Sequence, residues 1–206
     1  AADVSTRLGL SAWVSNAGIS FMHRFLDAPV ERFDQTIDVN LKGVFVCGQA
    51  AAREMVRTGV SGAIVNTASM AGKQGRVPYL ADYVASKFGV VGMSKVAALE
   101  YAACGSRASG GVTVNCIAPG WTETAIIEPQ VAARAALHGG DRDKGVADLL
   151  AEKQPSHRTS DPSEIGALAL WLCSPVAHND AASGASTGAA ASRDPTNFRG
   201  LVLGCI

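Results

Sequence analysis

Val112-Thr113-Val114-Asn115-Cys116-Ile117-Ala118-Pro119-Gly120 is the stretch from which the fold is read. Val112 to Ile117 is mostly β-branched or apolar, which predicts a buried strand. Pro119-Gly120 stops it, because proline has no N–H to donate to a strand ladder and glycine turns the chain. The same pattern recurs upstream. Ala63-Ile64-Val65-Asn66 predicts a second buried strand, and Ala12-Trp13-Val14 a shorter one that stops at Ser15-Asn16-Ala17-Gly18.

Helical periodicity fills the intervals. Pro29 to Thr36 reads as a short helix. From Ile37 the positions Leu41, Val44, Gly48, Ala52, Met55 and Val56 keep a helical period, which ends at Thr58-Gly59. Gly75 to Pro78 is a loop, and a long helix is predicted from Leu80 to Cys104, stopped by Gly105. Thr122 to Gln154 reads as a mostly helical excursion broken at Gly139-Gly140. Asp161-Pro162-Ser163-Glu164 starts another helix, with a capping acid, a first-turn proline and a glutamate three residues on; it carries Ile165 through Leu172.

Strands alternating with helices predict α/β architecture: a doubly wound, Rossmann-type parallel sheet with crossover helices. Such sheets bind ligands at the carboxyl ends of their strands. Ser15-Asn16-Ala17-Gly18, Ser69 and Pro119-Gly120 all fall at strand ends, so the polar and glycine residues collect on one rim.

Composition narrows the function. The 206 residues suffice for one domain with a substantial core, and 48% of them are apolar. Net charge is zero, so nothing argues for nucleic acid or an anionic membrane surface. No run of about 18 apolar residues is present to span a bilayer. No basic-then-apolar signal segment opens the chain, and the first residue is Ala rather than Met, from which a start inside a longer protein is expected. Cys47, Cys104, Cys116, Cys173 and Cys205 are scattered and form no Cys-x-x-Cys pair. They read as small buried residues in a reducing compartment, the cytoplasm. His23, His138, His157 and His178 are equally dispersed, so no metal site is expected.

Tyr83 and Lys87 stand one helical turn apart in Tyr83-Val84-Ala85-Ser86-Lys87, on one face. A cation ~5 Å from a phenol, at an effective dielectric of ~20, contributes about 3 kcal/mol, or roughly 2 pK units. The expectation is a Tyr83 phenol lowered toward neutrality, with the Ser69 hydroxyl holding the oxygen that Tyr83 protonates or deprotonates. Taken singly, Tyr83 and Lys87 could be a surface pair, Ser69 a strand-end cap, Asn40 a solvent-facing residue and Thr124 a helix cap.

Together these motifs resemble the short-chain dehydrogenase/reductase family, from about Trp13 to about Pro175. Asn16-Ala17-Gly18 is similar to that family's Asn-Asn-Ala-Gly strand end, with Ser15 for the first Asn. Asp38-Val39-Asn40-Leu41-Lys42-Gly43 is similar to its central helix motif and Asn66-Thr67-Ala68-Ser69-Met70-Ala71-Gly72 to its serine segment. Tyr83 to Lys87 and Ile117-Ala118-Pro119-Gly120 complete the set. The serine segment, the Asn40 motif and the Pro119-Gly120 spacing argue against a sugar-nucleotide epimerase, which shares Tyr-x-x-x-Lys.

The resemblance implies hydride transfer between NAD or NADP and a small-molecule secondary alcohol or ketone. It implies Tyr83 as general acid and base, Lys87 as its partner and ribose ligand, and Ser69 as a hydrogen bond to the substrate oxygen. Asn40 would hold a proton-relaying water. Asn16, Ala17 and Gly18 would line the nucleotide, as would Pro119, Gly120, Thr122, Thr124 and the backbone of Ile117. The run from Pro119 to Gln130, with Leu149 to Ser156, further resembles the D-3-hydroxybutyrate dehydrogenases, which implies Trp121 and Gln130 beside the substrate. That subfamily's carboxylate-binding residues are not matched: Ser20, Ala71 and Leu80 stand where it has Gln, His and Lys. A less charged substrate is therefore expected. The resemblance also implies a homodimer or homotetramer, with Gly43, Gly48, Ala51, Gly89 and Gly92 permitting close approach.

Two departures qualify this. No Thr-Gly-x-x-x-Gly-x-Gly run occurs, so residues 1–178 are expected to form a partial domain without the first βαβ half, its Ala12 strand exposing an edge. Residues 179–206 read as an atypical tail, Ala/Ser/Gly-rich at first, replacing the usual last strand. The alternative reading is a catalytically inactive fragment or assembly partner unable to bind dinucleotide alone.

Overall fold

The computed structural model describes residues 9–75, 77–102, 104, 111–177 and 202–204. The three expected strands form: β1 (Ala12–Ser15), β2 (Ala63–Thr67) and β3 (Thr113–Ala118). They run parallel and in chain order, Ala12 opposite Ala63 and Ala63 opposite Thr113. β1 lies at the edge of the sheet, and its Val14 is 43% exposed.

At the other edge, β4 (Val202–Gly204) pairs parallel to β3, with Cys116 opposite Val202. A strand thus lies within residues 179–206, the stretch read from sequence as an atypical tail in place of the usual last strand. Val202 and Leu203 suit a pleated surface, and pairing satisfies backbone groups on a strand whose side chains are buried throughout. The Ala/Ser/Gly-rich stretch 181–192 lies outside the described residues, as do His178 and Cys205.

The helices are α1 (Val30–Ile37), α2 (Gly43–Thr58), the single turn α3 (Ala71–Gln74), α4 (Ala81–Ala102), α5 (Glu128–Ala135), α6 (Arg142–Lys153) and α7 (Pro162–Leu172). α2 ends on Gly59, whose φ of 67° favours a residue without a side chain. α7 opens with the expected capping box: Asp161 accepts from the N–H of Ser163, and Glu164 accepts from the N–H of Asp161. Alternation divides the sheet into two faces. Ile64 and Val114 pack on Ala51, Ala52 and Met55 of α2 and Ala98 of α4, while Cys116 meets Val44, Val90 and Val91. On the opposite face Val65 and Ile117 pack on Leu172 of α7.

Asp38–Lys42, between α1 and α2, winds as a π-helix where the periodicity predicts an unbroken α-helix. The wider turn is a device found at functional sites. Here its middle residue, Asn40, is fully buried rather than facing solvent.

Cys47 and Cys104 are exposed, correcting the reading of the cysteines as buried; Cys116 is buried and Cys173 partly so. Among the described residues no helix is long and apolar enough to cross a membrane, and no three His, Cys, Asp or Glu side chains group as metal ligands. Of the small residues considered for subunit contact, Ala51 is fully buried within the chain. A Cβ on Gly89 would meet Leu41 at 2.9 Å, whereas Gly48 and Gly92 face open space.

Candidate active site

Because the strands are parallel, Asn16-Ala17-Gly18, Ala68-Ser69 and Pro119-Gly120 all emerge on one rim. A cleft of about 1020 Å³ opens there. Ser69 sits two residues past the end of β2, and its Oγ accepts the N–H of Ala71 at 3.1 Å, which starts α3. Gly72 lets that turn lie directly on α4. A Cβ there would stand 2.6 Å from the carbonyl carbon of Lys87. This contact brings the Ser69 hydroxyl close enough to the Tyr83 phenol to influence its titration.

Lys87 is 3% exposed. Its Nζ donates to the carbonyl of Thr67 at 2.7 Å and lies 5.6 Å from the centre of the Tyr83 ring. Burial lowers the ammonium to about 8, against the opposing influence of Cys116; burial pushes the Cys116 thiol up to about 11. Tyr83 departs from the sequence argument. Its phenol is raised, chiefly by desolvation, with the Ser69 hydroxyl opposing. The neighbouring ammonium was expected to lower it, but that ammonium is turned to a backbone carbonyl, and burial disfavours the charged form of both groups.

Asn40 does not line the cleft. Its Oδ1 accepts the N–H of Ile19 at 2.8 Å, and its Nδ2 donates to the Ile19 carbonyl at 2.8 Å and to Ser86 Oγ at 3.2 Å. The side-chain amide of Asn40 is thus committed to the protein. It fixes the turn after β1, where a Cβ on Gly18 would stand 3.4 Å from Asn40 Oδ1 and 3.5 Å from Lys87 Nζ.

The remaining expected residues line the cleft. Asn16, Ala17 and Gly18 reach it from the end of β1, Ile117, Pro119 and Gly120 from the end of β3, and Trp121, Thr122, Thr124 and Gln130 from the segment that follows. Thr122 Oγ1 is buried without a hydrogen-bond partner. Ala71 and Leu80, both buried, contribute an apolar wall. Three contributors carried no usable sequence signal. Thr67 acts through its carbonyl, which any residue has. Gln154 accepts the N–H of Trp121 at 2.7 Å and donates to the carbonyl of Arg158, pinning the loop after β3. Arg142 of α6 reaches Glu123 and Glu128, each at 2.6 Å.

A family model for short chain dehydrogenase matches residues 4–135. The chain belongs to the short-chain dehydrogenase family. It is 40% identical to D-beta-hydroxybutyrate dehydrogenase of Cupriavidus necator over 169 residues, 82% of this chain and 62% of that protein. It is 34% identical to the enzyme of that name from Rhizobium meliloti, over 80% of this chain and 60% of that protein. The chain therefore spans about 60% of the length of these curated relatives. Among solved structures, levodione reductase superposes with a TM-score of 0.75 at 27% identity, covering 98% of this chain and 68% of that chain. A protein of Agrobacterium tumefaciens assigned as a 2-deoxy-D-gluconate 3-dehydrogenase, crystallised with bound NADP, gives 0.73 at 31% identity, covering 96% of this chain and 66% of that chain.

Proposed function

We propose that the protein is an oxidoreductase that moves a hydride between a nicotinamide cofactor, NAD or NADP, and a secondary alcohol or ketone. The observation that carries this reading is the convergence of Ser69, Tyr83 and Lys87 in one cleft at the carboxyl rim of the sheet. A raised phenol keeps its proton at neutral pH, as a general acid for ketone reduction must. In the reverse direction it receives the alcohol proton. The Ser69 hydroxyl, already within reach of Tyr83, hydrogen-bonds the substrate oxygen. Lys87, lowered to about 8, is a proton reservoir near neutrality.

The rim fits the nicotinamide end of such a cofactor. Thr122 carries an orphaned buried hydroxyl, and Gly18 keeps the space beside Lys87 clear of a side chain. Lys87, Thr122, Thr124, the backbone of Ile117 and the Asn16–Gly18 turn would hold it, with Pro119 and Gly120 lining the cleft. When bound it supplies or accepts the hydride. Asn40 serves as a positioning residue for that turn.

Trp121 and Gln130 border the substrate, whereas Ala71 and Leu80 offer a small carboxylate next to the reacting carbon no charge-assisted hydrogen bond. A neutral or apolar surround of the carbonyl is preferred. The whole protein, assayed with NADH and NADPH, is expected to reduce neutral ketones with higher kcat/KM than acetoacetate. A preference for acetoacetate overturns the substrate reading; turnover of no ketone overturns the reaction. The intact catalytic set stands against an inactive remnant. Exposed Phe45, Val46, Phe88, Val96 and Leu99 on α2 and α4 support a homodimer or homotetramer; a stable monomer in light scattering would count against it.

A further inference from the structure

A second chamber, about 320 Å³, adjoins the catalytic cleft. The two share Ser20, Ile126 and Gln130 as walls, and beyond them the second chamber is lined by Phe21, His23 and Arg32. Its walls are tied down. The His23 N–H donates to the carbonyl of Tyr79 at 2.9 Å, and Tyr79 itself holds a φ of 68°, an uncommon conformation for a residue with a side chain.

Arg32 of α1 differs from three arginines held by close ion pairs. Arg57, Arg142 and Arg158 each take a glutamate at 2.6 to 2.7 Å. Among the described residues no carboxylate pairs with Arg32. Its guanidinium lies 4.4 Å from the centre of the Phe21 ring and donates from Nη1 to Gln35 Oε1 at 3.0 Å. Stacking on a ring orients the guanidinium plane and leaves its remaining N–H groups for a planar anion. Between the two chambers stands Gln130. It is buried, at 7% relative exposure, and lines both chambers.

We propose that the second chamber is an extension of the substrate site that receives the carboxylate of a keto or hydroxy acid on Arg32, while the reacting carbon stands at Tyr83. This rests on the reading of the reaction given above. The carboxylate must lie past Gln130, so several methylene groups separate it from the ketone. Acetoacetate is too short: its carboxylate would remain against Ala71 and Leu80. Gln130 supplies a polar group midway along the acyl chain.

The test is a length series. Reduction of acetoacetate, 4-oxopentanoate, 5-oxohexanoate and 6-oxoheptanoate by the whole protein is compared with reduction of their methyl esters. The acid-to-ester ratio of kcat/KM is expected to exceed roughly tenfold for at least one of the longer acids and to stay near one or below for acetoacetate. Arg32→Gln is expected to bring that high ratio down to near one. A wild-type ratio near one at every length, or an Arg32→Gln ratio equal to wild type, overturns the proposal. Calorimetric binding of 5-oxohexanoate separates the two layers. Arg32-dependent binding without turnover of any ketone sinks the reaction and keeps the chamber; turnover of ketones without a length-dependent acid preference does the reverse.

Discussion

The ammonium of Lys87 donates to the carbonyl of Thr67 at 2.7 Å, tying the N-terminal third of α4 to the last residue of β2. A lysine in that position is nearly dry, and burial holds it at about 8 rather than 10.5. Between those values the unfolded chain binds a proton that the folded chain does not. Stability therefore rises with pH across this window and falls as pH drops through 8. Relative to a Lys87→Met variant, the wild type is expected to gain about 2 kcal/mol between about pH 7.5 and about pH 9.5. Urea unfolding at the two pH values measures it. Above 10 the raised Tyr83 phenol contributes with the opposite sign, so the comparison belongs below that value. A difference that does not change with pH would mean that Lys87 stays solvated.

Removing only the reacting hydroxyls tests the chemistry. Tyr83→Phe keeps the ring and deletes the proton donor; a loss of about a thousandfold in turnover is expected, with the folded state retained. Ser69→Ala is expected to cost about a hundredfold. Steady-state assays alongside circular dichroism check both. Turnover within about fivefold of wild type in Tyr83→Phe would remove the phenol from the mechanism.

Gly72 is where the architecture tolerates least. A methyl group there would meet the Lys87 carbonyl carbon at 2.6 Å and its oxygen at 2.7 Å, both backbone atoms that no rotamer change can move. Gly72→Ala is expected to destabilise by about 2 kcal/mol. It is also expected to lower activity at temperatures where the protein remains folded, because α3 must lift Ser69 away from Tyr83. Thermal melts and assays well below the transition distinguish the two effects. An active variant of wild-type stability would show that the helix contact is loose.

Arg142 clamps the loop after β3 by its two glutamates, and that loop carries Trp121, Thr122 and Thr124. Arg142→Ala is expected to raise KM several-fold with a smaller change in kcat, since the loop is positioned rather than reacted upon. About 1 M salt is expected to imitate the substitution in the wild type, because exposed ion pairs are screened. Equal KM values for the two proteins at low salt would dismiss the clamp.

The α/β alternation was legible because it rests on short-range rules. Asp161-Pro162-Ser163-Glu164 caps a helix wherever it stands, Gly139-Gly140 breaks one, and Ala63 to Asn66 is too apolar to lie on a surface. The gathering of Ser69, Tyr83 and Lys87 was legible for a related reason: a parallel sheet sends every strand end to the same rim, so order along the chain becomes proximity in space. The π-turn at Asn40 was not legible, since it depends on hydrogen bonds to Ile19 and Ser86, 21 and 46 residues away. Nor was the strand at Val202–Gly204, which exists by virtue of an open edge on β3.

The residue types and their order determined the family, the sheet and the meeting of Ser69, Tyr83 and Lys87 in one cleft. Only the tertiary structure decided where the protons rest. The direction of a titration shift depends on how much water the packed neighbours exclude and on which carbonyl an ammonium finds, and neither quantity is written in any local stretch of chain.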